Sequence, residues 1–336
     1  MRKCLIYGVL TLAASLPLAG AARQIDWLVV QPAETSRNLV LFSKPGRALI
    51  EDRGVSTSHA LGDAERLTSI VELRDGWAAA GQIVGDGRSR IVVVSADSQG
   101  MRHLSLPEKG APALQLGPRL LTDGGRLRGV AWVEGPTARE TAVRARVWTG
   151  AAWSEAVTVS PAGRGTQTGL AAATLRDGTE LLIWSAYDGY DDEILFSENR
   201  GGQWSEPERV SAGNREPDVM PTLAATDRGA LAAWNRGGEN GYELVVATYR
   251  NGRWTEIRSR TDGLFPRLLT RSGSHYLTFR AEDWTVAELS VRGRELRTAQ
   301  SSESPRDRPA LEVEALTGPR FRWPERPAHA LLWSQP

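Results

Sequence analysis

The sequence predicts an all-β protein, a β-propeller of four-stranded antiparallel blades. Three observations predict this fold: a repeat of about 50 residues, a polar turn that recurs in step with it, and short apolar runs separated by turn residues. Repeats of this length are typical of propeller blades, and blades stacked face to face in a ring bury both sides of such strands. Almost no segment shows a sustained helical period.

The first element of the repeat is an apolar strand that ends in an aromatic residue. The clear copies end at Trp132, Trp184, Trp234, Phe279 and Trp333, and weaker copies begin at Trp27 and Trp77. A spacing of about 50 residues is a blade length rather than the length of a helical repeat. Six blades are predicted, with the terminal strands completing a shared blade. Seven blades are the alternative, because the strand can be counted seven times.

The second element is a turn with Gly that is followed by Trp. It occurs at residues 150–153, 201–204 and 251–254. Between these elements, short apolar or β-branched runs such as residues 222–226 and 243–250 alternate with turn residues. This alternation indicates four antiparallel strands in each unit.

The N-terminal segment predicts export. Arg2 and Lys3 precede an apolar stretch over residues 4–18, and small residues follow over residues 19–22, as in a secretory signal peptide. We therefore expect a signal peptide over residues 1–22 and a single β-propeller domain over residues 23–336, in the periplasm or secreted. A signal anchor is the alternative, but the stretch is shorter than the roughly 20 residues that a membrane span needs. No membrane span is expected in the mature chain.

Composition argues against several classes of function. Cys4 is the only cysteine of the 336 residues, so the mature domain is expected to hold no disulfide, thiol nucleophile or cysteine metal site. A formal net charge of +1 gives little attraction to polyanions, so nucleic acid is not an expected partner. The four histidines lack a metal-binding spacing, so no metal site is predicted from them. We expect a monomer without a cofactor.

Residues 197–204 read Ser-Glu-Asn-Arg-Gly-Gly-Gln-Trp and resemble an Asp-box, the Ser-x-Asp-x-Gly-x-x-Trp hairpin, with Asn199 in place of Asp. Residues 95–97 begin a weaker copy. The chain is therefore similar to the sialidase-like (bacterial neuraminidase repeat, BNR/Asp-box) β-propeller superfamily over about residues 65–300. In such a hairpin the short polar side chain can bond the turn's backbone, Gly allows a positive φ and Trp covers the next hairpin, so the motif is structural.

The resemblance implies a fold rather than an activity. Sialidases carry an Arg-Ile-Pro motif, three arginines that hold the sialic acid carboxylate, an Asp acid/base, and a Tyr nucleophile helped by Glu. This sequence has no Arg-Ile-Pro. Residues 117–120 (Gly-Pro-Arg-Leu) and 265–268 (Phe-Pro-Arg-Leu) share residue types with that motif in a different order, and both fit a junction between a loop and an inner strand.

By analogy with this family, a ligand would bind on the face opposite the Asp-box turns, where the loops between the second and third strands and between blades open. The richest such loop spans residues 187–193 and holds two Tyr residues and several carboxylates. These groups suit acid/base chemistry, sugar stacking or a calcium site of oxygen ligands. The alternative is a solvated hairpin loop without a ligand.

A second loop, residues 214–218, is expected to bring one Arg and two carboxylates beside the first, with further candidates in the next blade. Exposed Arg and Glu often pair weakly without function, which is the alternative for this cluster. The candidate binding residues are Tyr187, Asp188, Tyr190, Asp191, Arg215, Glu216, Asp218, Arg236, Glu239 and Trp284. No catalytic residue is assigned.

Three functions stay open. The first, favoured because no catalytic set is recognisable, is an exported propeller that binds a glycan, peptide or protein partner on its loop face without catalysis. The second is a divergent glycosidase or sialidase-like hydrolase that uses loop carboxylates such as Asp188, Asp191, Glu216 or Asp218. The third is a periplasmic scaffold or assembly protein that uses the blade edges, which exposed apolar patches would favour.

Overall fold

A computed structural model describes residues 28–30, 39–53, 55–62, 65–85, 87–107, 114–163, 165–211, 213–238, 241–271, 274–280, 286–292 and 295–298. All regular secondary structure in these ranges is β. The described part contains no helix that could cross a membrane. The predicted signal peptide, the strand copy that ends at Trp333, and the candidates Glu239 and Trp284 lie outside the described residues.

The strands form consecutive four-stranded antiparallel units, which we number in chain order. Unit 1 holds β1 (Leu28–Val30), β2 (Leu39–Lys44), β3 (Arg47–Asp52) and β4 (Val55–Ala60). Unit 2 holds β5 (Glu65–Leu73), β6 (Gly76–Gly85), β7 (Arg88–Asp97) and β8 (Gly100–His103). Unit 3 holds β9 (Leu114–Asp123), β10 (Arg126–Thr137), β11 (Glu140–Val147) and β12 (Val157–Ser160). One parallel bridge, Ser89 to Leu114, joins units 2 and 3 into one sheet.

Unit 4 holds β13 (Gln167–Thr174), β14 (Glu180–Tyr187), β15 (Asp192–Arg200) and an outer strand in two pieces, β16 (Gln203–Trp204) and β17 (Glu208–Arg209). Pro207, which has no N–H to donate to β15, lies between the two pieces. Unit 5 holds β18 (Asp218–Thr226), β19 (Gly229–Gly238), β20 (Gly241–Arg250) and β21 (Arg253–Asp262). Unit 6 holds β22 (Leu264–Arg271), β23 (Ser274–Arg280), β24 (Val286–Arg292) and β25 (Glu295–Thr298).

The first strand of each unit is the inner strand, because the first strands of consecutive units contact one another from β1 to β22. Side chains at every junction between described units hydrogen-bond the backbone at or beside the next inner strand. These bonds link Ser43 to Leu67 (2.9 Å), Ser89 to Gln115 (2.8 Å), Thr141 to Gln167 (2.6 Å), Ser185 to Asp218 (3.0 Å) and Asn235 to Gly263 (2.6 Å). The described part therefore holds six units in series, and the number of blades in the whole chain stays a prediction.

The hydrophobic core is divided into clusters that lie between units. Each of the five clusters draws its buried residues from two consecutive units, so both faces of an inner unit are covered. In β14, for example, Ile183 packs toward unit 5 and Trp184 toward unit 3. Trp184 and Trp234 are fully buried, and Trp204 and Trp254 pack against the clusters, as the predicted role of these rings in blade packing requires.

The Asp-box-like hairpin between β15 and β16 has the predicted turn but not the predicted side-chain bond. Gly201 and Gly202 have φ of 67° and 96°, which glycine adopts without strain. The Asn199 amide, however, donates to Glu180 Oε2 across the sheet (2.7 Å) instead of bonding the turn. In the weaker copy, Asp97 Oδ1 does accept from the Gln99 N–H (2.8 Å). The turn of unit 4 therefore depends on its glycines rather than on an Asx bond.

Candidate functional site

The loop between β14 and β15 is fixed by its own hydrogen bonds. Asp188 Oδ1 accepts from the N–H groups of Tyr190 (2.9 Å) and Asp191 (3.4 Å), and the Asp188 N–H donates to the Asp191 carbonyl (3.0 Å). The Tyr187 hydroxyl donates to the Gly189 carbonyl (2.9 Å). These bonds close a compact turn that leaves the Tyr190 side chain 89% exposed. The loop thus presents an aromatic ring from an ordered backbone.

Arg209, at the end of the unit 4 outer strand, ties this loop to the sheet. Its guanidinium donates to Asp188 Oδ2 (3.0 Å) and to Glu193 Oε1 (2.8 Å). The other oxygen of Glu193 accepts from the Ser211 hydroxyl, and Glu193 is 1% exposed. The loop, the third strand and the outer strand of unit 4 therefore form one charged and hydrogen-bonded unit.

Three carboxylates converge at this point. One side-chain oxygen each from Asp188, Asp191 and Glu193 lies within 4.8 Å of the other two. Asp191 is 7% exposed, and its Oδ2 has no hydrogen-bond partner in the described part of the chain. The site therefore concentrates negative charge around a buried oxygen that no donor satisfies.

Burial sets the protonation of these carboxyl groups. Burial raises the pKa of Glu193 to about 7, against the opposing Ser211 hydrogen bond and Arg209 charge. Burial and the charge of Asp191 raise the pKa of Asp192 to about 6. Burial also raises the pKa of Asp191, and the charges of Asp188 and Asp218 add to the effect. For Asp188, burial is outweighed by its two N–H donors and Arg209, which lower the pKa.

A second network lies beside the loop at the start of unit 5. Arg236 donates to both oxygens of Asp218 (2.8 and 3.0 Å) and to Glu256 Oε1 (2.7 Å). The Trp234 indole also donates to Asp218 Oδ1 (2.7 Å), and Asn214 contacts its other oxygen (3.4 Å). Asp218 is 0% exposed and Arg236 is 2% exposed. This bidentate pair holds the beginning of β18 against β19 and β21.

The structure brings Asp218, at the end of the second predicted loop, close to the first loop. Tyr187, Asp188, Tyr190 and Asp191 share the first loop, and the charge of Asp218 acts on Asp191. Arg215 and Glu216 are exposed on the loop before β18. Asp218 and Arg236 belong to the same region but lie beneath its surface, because each satisfies the other's charge there.

Sequence reasoning missed the residues that support the loop. Arg209 and Ser211 were not considered, and Glu193 was placed in the loop without a role of its own. Arg209 is 16 positions from Glu193 and 21 from Asp188. The pairing of β17 with β15 brings them together, and that pairing follows an interruption at Pro207 that no simple spacing predicts.

Two further arginines lie at equivalent places on inner strands. Arg119 pairs with Ala131 and Arg267 pairs with Thr278, each after a positive-φ residue and a proline. Burial lowers the pKa of both to about 10, and for Arg119 the charge of Arg267 adds to the effect. The repeated Pro-Arg-Leu sequence was the available signal. Residues 265–268 lie at the start of their inner strand, as the loop-to-strand interpretation predicts, whereas residues 117–120 lie inside β9, where its pairing with β10 is irregular. What the sequence did not indicate is that the charge of Arg267 acts on Arg119.

Trp184 and Trp234 allow a matched test of the buried network. Trp234→Phe removes the donor to Asp218, whereas Trp184 Nε1 has no partner within the described ranges. Because both rings are fully buried, the two substitutions lose similar packing. The difference between their losses of unfolding free energy therefore measures the hydrogen bond from the indole to Asp218. We expect Trp234→Phe to lower the free energy of unfolding by about 1–3 kcal/mol more than Trp184→Phe. Urea unfolding followed by circular dichroism measures both, and equal losses would contradict the role of the indole.

No protein-family model and no curated protein matches the sequence. Among solved structures, a puromycin hydrolase variant is similar with a TM-score of 0.55 and 16% identity over 85% of this chain and 47% of that chain. A protein of unknown function from Dyadobacter fermentans has a TM-score of 0.54 and 11% identity over 82% and 94%. The β-propeller domain of the trilobed protease from Pyrococcus furiosus has a TM-score of 0.51 and 11% identity over 81% and 84%.

These likenesses concern the fold. The chain spans about half the length of the puromycin hydrolase that it resembles. Together with the four-stranded antiparallel units, they define the protein as an all-β protein with the β-propeller fold. The resemblance to sialidase repeats within this fold stays a prediction.

Proposed function

We propose that this protein is an exported β-propeller that binds a glycan on the loop face of units 4 and 5 without catalysing a reaction on it. One observation carries the proposal: an 89% exposed Tyr190 side chain stands on a loop whose backbone is fixed by Asp188 and anchored by Arg209. Aromatic rings held in place stack on the apolar faces of sugars at little entropic cost.

The chemistry around the ring suits hydroxyl groups. Tyr187 is 40% exposed in the same loop, and Arg215 and Glu216 are exposed on the neighbouring one. The two loops therefore offer two aromatic rings together with a charged donor and a carboxylate acceptor, the kinds of group by which small-molecule sites fix orientation. Because Arg209 partly compensates the carboxylates beneath, the surface is suited to hydrogen bonding as well as to charge.

The size of the patch favours a glycan over a protein partner. A specific protein interface usually buries about 800 Å² on each side and has an apolar centre. Within the described ranges, the large exposed hydrophobic residues of this loop are Tyr187 and Tyr190, and the others are four valines and an isoleucine of units 1 to 3. A few sugar units match this footprint better than a folded partner or a scaffold does.

Glycoside hydrolysis is the second candidate, favoured by the spacing of the carboxylates. Oxygens within 4.8 Å of one another are close to the roughly 5–5.5 Å that separates the two carboxyl groups of retaining glycosidases. Access argues against it, since Glu193 is 1% exposed and its two oxygens are held by Arg209 and Ser211. A panel of fluorogenic glycosides decides between the two, and turnover that is lost in Glu193→Gln would establish the enzyme instead.

Tyr190→Ala is expected to weaken glycan binding by about fivefold or more, because stacking on an aromatic ring contributes on the order of 1 kcal/mol or more. A glycan array with the purified protein identifies the ligand, and isothermal titration calorimetry compares the variants. Tyr276→Ala changes a tyrosine of unit 6 that is only part-exposed and belongs to another blade, so its affinity should match the wild type. An array without binding, or equal affinity in Tyr190→Ala, would contradict the proposal.

A further inference from the structure

We propose that Asp188, Asp191 and Glu193 form a binding site for a calcium ion in the loop between the second and third strands of unit 4. The site is separate from the sugar-stacking role proposed for Tyr190 and does not depend on it. One carboxylate oxygen from each of the three residues lies within 4.8 Å of the others, which places them close enough to share one ion.

The independent observation is the orphaned oxygen of Asp191. Asp191 is 7% exposed, and its Oδ2 has no hydrogen-bond donor in the described part of the chain. A buried carboxylate oxygen without a donor costs free energy, and native proteins satisfy nearly all such groups with a protein atom, water or an ion. Since the carboxylate that carries this oxygen belongs to a cluster of three carboxylates, which cannot donate while ionised, a cation is the partner that the surroundings favour.

The charge balance points the same way. Three carboxylates meet here, and Arg209 is the cation within hydrogen-bond distance of two of them. Asp192 and Asp218 add negative charge nearby, although Arg236 pairs with Asp218. The ionised cluster therefore carries an excess of negative charge that a divalent ion would neutralise, and it would do so without displacing Arg209 because each carboxylate oxygen has more than one lone pair.

The ligand chemistry selects calcium among common cations. All side chains offered are carboxylates, the hard oxygen ligands that calcium and magnesium prefer, and the described part of the site has no His or Cys for a softer metal. The loop supplies its ligands at irregular spacing from a turn and the start of a strand, which suits the flexible geometry of calcium better than the strict octahedron of magnesium. Water molecules would complete the six to eight ligands.

Terbium luminescence tests the assignment directly, because Tb³⁺ replaces calcium at oxygen sites and its emission is excited through nearby aromatic rings. Protein freed of metal with EDTA and exchanged into chelator-free buffer should show sensitised Tb³⁺ emission that calcium displaces, with a dissociation constant for calcium of about 0.1–1 mM. Magnesium should displace it at least tenfold less well. The emission should fall at least tenfold in Asp191→Asn at the same Tb³⁺ concentration.

Asp177→Asn is the matched control, since Asp177 also accepts a backbone N–H in a turn of unit 4 but sits in the hairpin between β13 and β14. Its emission should equal that of the wild type, and circular dichroism should show both variants folded. No calcium-displaceable emission from the wild type, or equal emission from Asp191→Asn, would overturn the site. Glycan binding by Tyr190 is measured separately, so the failure of one proposal is distinguishable from the failure of the other.

Discussion

Replacing Arg236 by leucine is expected to remove about 3–5 kcal/mol of the free energy of unfolding, because it leaves the Asp218 carboxylate buried without its partner. Arg236 donates to both oxygens of Asp218 and to Glu256. Its replacement therefore removes the charged partner of two carboxylates. Asp218 is 0% exposed and begins the inner strand of unit 5, so the loss acts where this unit meets unit 4.

Chemical denaturation measured by circular dichroism and tryptophan fluorescence tests this expectation. Arg215→Leu is the control, because Arg215 is exposed on the preceding loop and its replacement should stay within about 0.5 kcal/mol of the wild type. The double variant Asp218→Leu/Arg236→Leu should be more stable than Arg236→Leu alone, since it removes the uncompensated charge as well. An Arg236→Leu variant as stable as the Arg215→Leu control would show that the pair contributes little.

The parts of the fold that sequence reasoning predicted depend on periodic burial. Trp132, Trp184 and Trp234 recur because each ring fills the same space between consecutive units, and a repeated space imposes a repeated residue. The Gly-containing turns recur for an equally local reason, since residues such as Gly201 and Gly252 adopt positive φ. Recurring Trp residues and Gly-containing turns can be recognised in a single sequence, without knowing which units are in contact.

The parts that it could not predict depend on pairings particular to one junction. The Trp residues at the equivalent position of the second strand differ in their hydrogen bonds. The indole of Trp234 donates to Asp218 and that of Trp132 to Glu134, whereas the indole of Trp184 has no partner in the described part of the chain. Likewise, Arg209 reaches the loop because the outer strand of unit 4 resumes after Pro207 with Arg209 opposite Leu195, two residues along the same strand from Glu193. Composition can place carboxylates in a loop, but it cannot tell which of them are buried and compensated.

This distinction changes the interpretation of the candidate residues. Asp218 and Arg236 stabilise the junction of units 4 and 5, and their burial makes them poor contacts for a ligand. The loop between β14 and β15 lies nearer the surface, and it holds Tyr187, Asp188 and Tyr190. The hydrogen bonds of Asp188 fix the loop backbone that carries the exposed Tyr190 side chain.

Gly165→Ala is expected to destabilise the fold by about 2–5 kcal/mol and to weaken ligand binding by the loop. Gly165 has φ of +84°, a region that costs an L-residue about 1–2 kcal/mol. A Cβ atom at Gly165 would also lie 1.5 Å from the Tyr187 carbonyl oxygen, and such overpacking adds about 1–3 kcal/mol. Since Tyr187 begins the candidate loop and its N–H donates to Thr166, the backbone must shift where the ring of Tyr190 is positioned.

Gly178→Ala separates the two contributions, because Gly178 lies in the same unit with φ of +82° and has open space where a Cβ would be placed. Its loss should therefore be about 1–2 kcal/mol from the backbone alone, with glycan affinity unchanged. Denaturant unfolding gives the difference in stability, and calorimetric titration under conditions where both variants are folded gives the difference in affinity. If Gly165→Ala matched Gly178→Ala in both measurements, the close approach to Tyr187 would have no bearing on the loop, and the anchoring of Tyr190 would have to come from Arg209 and Asp188 alone.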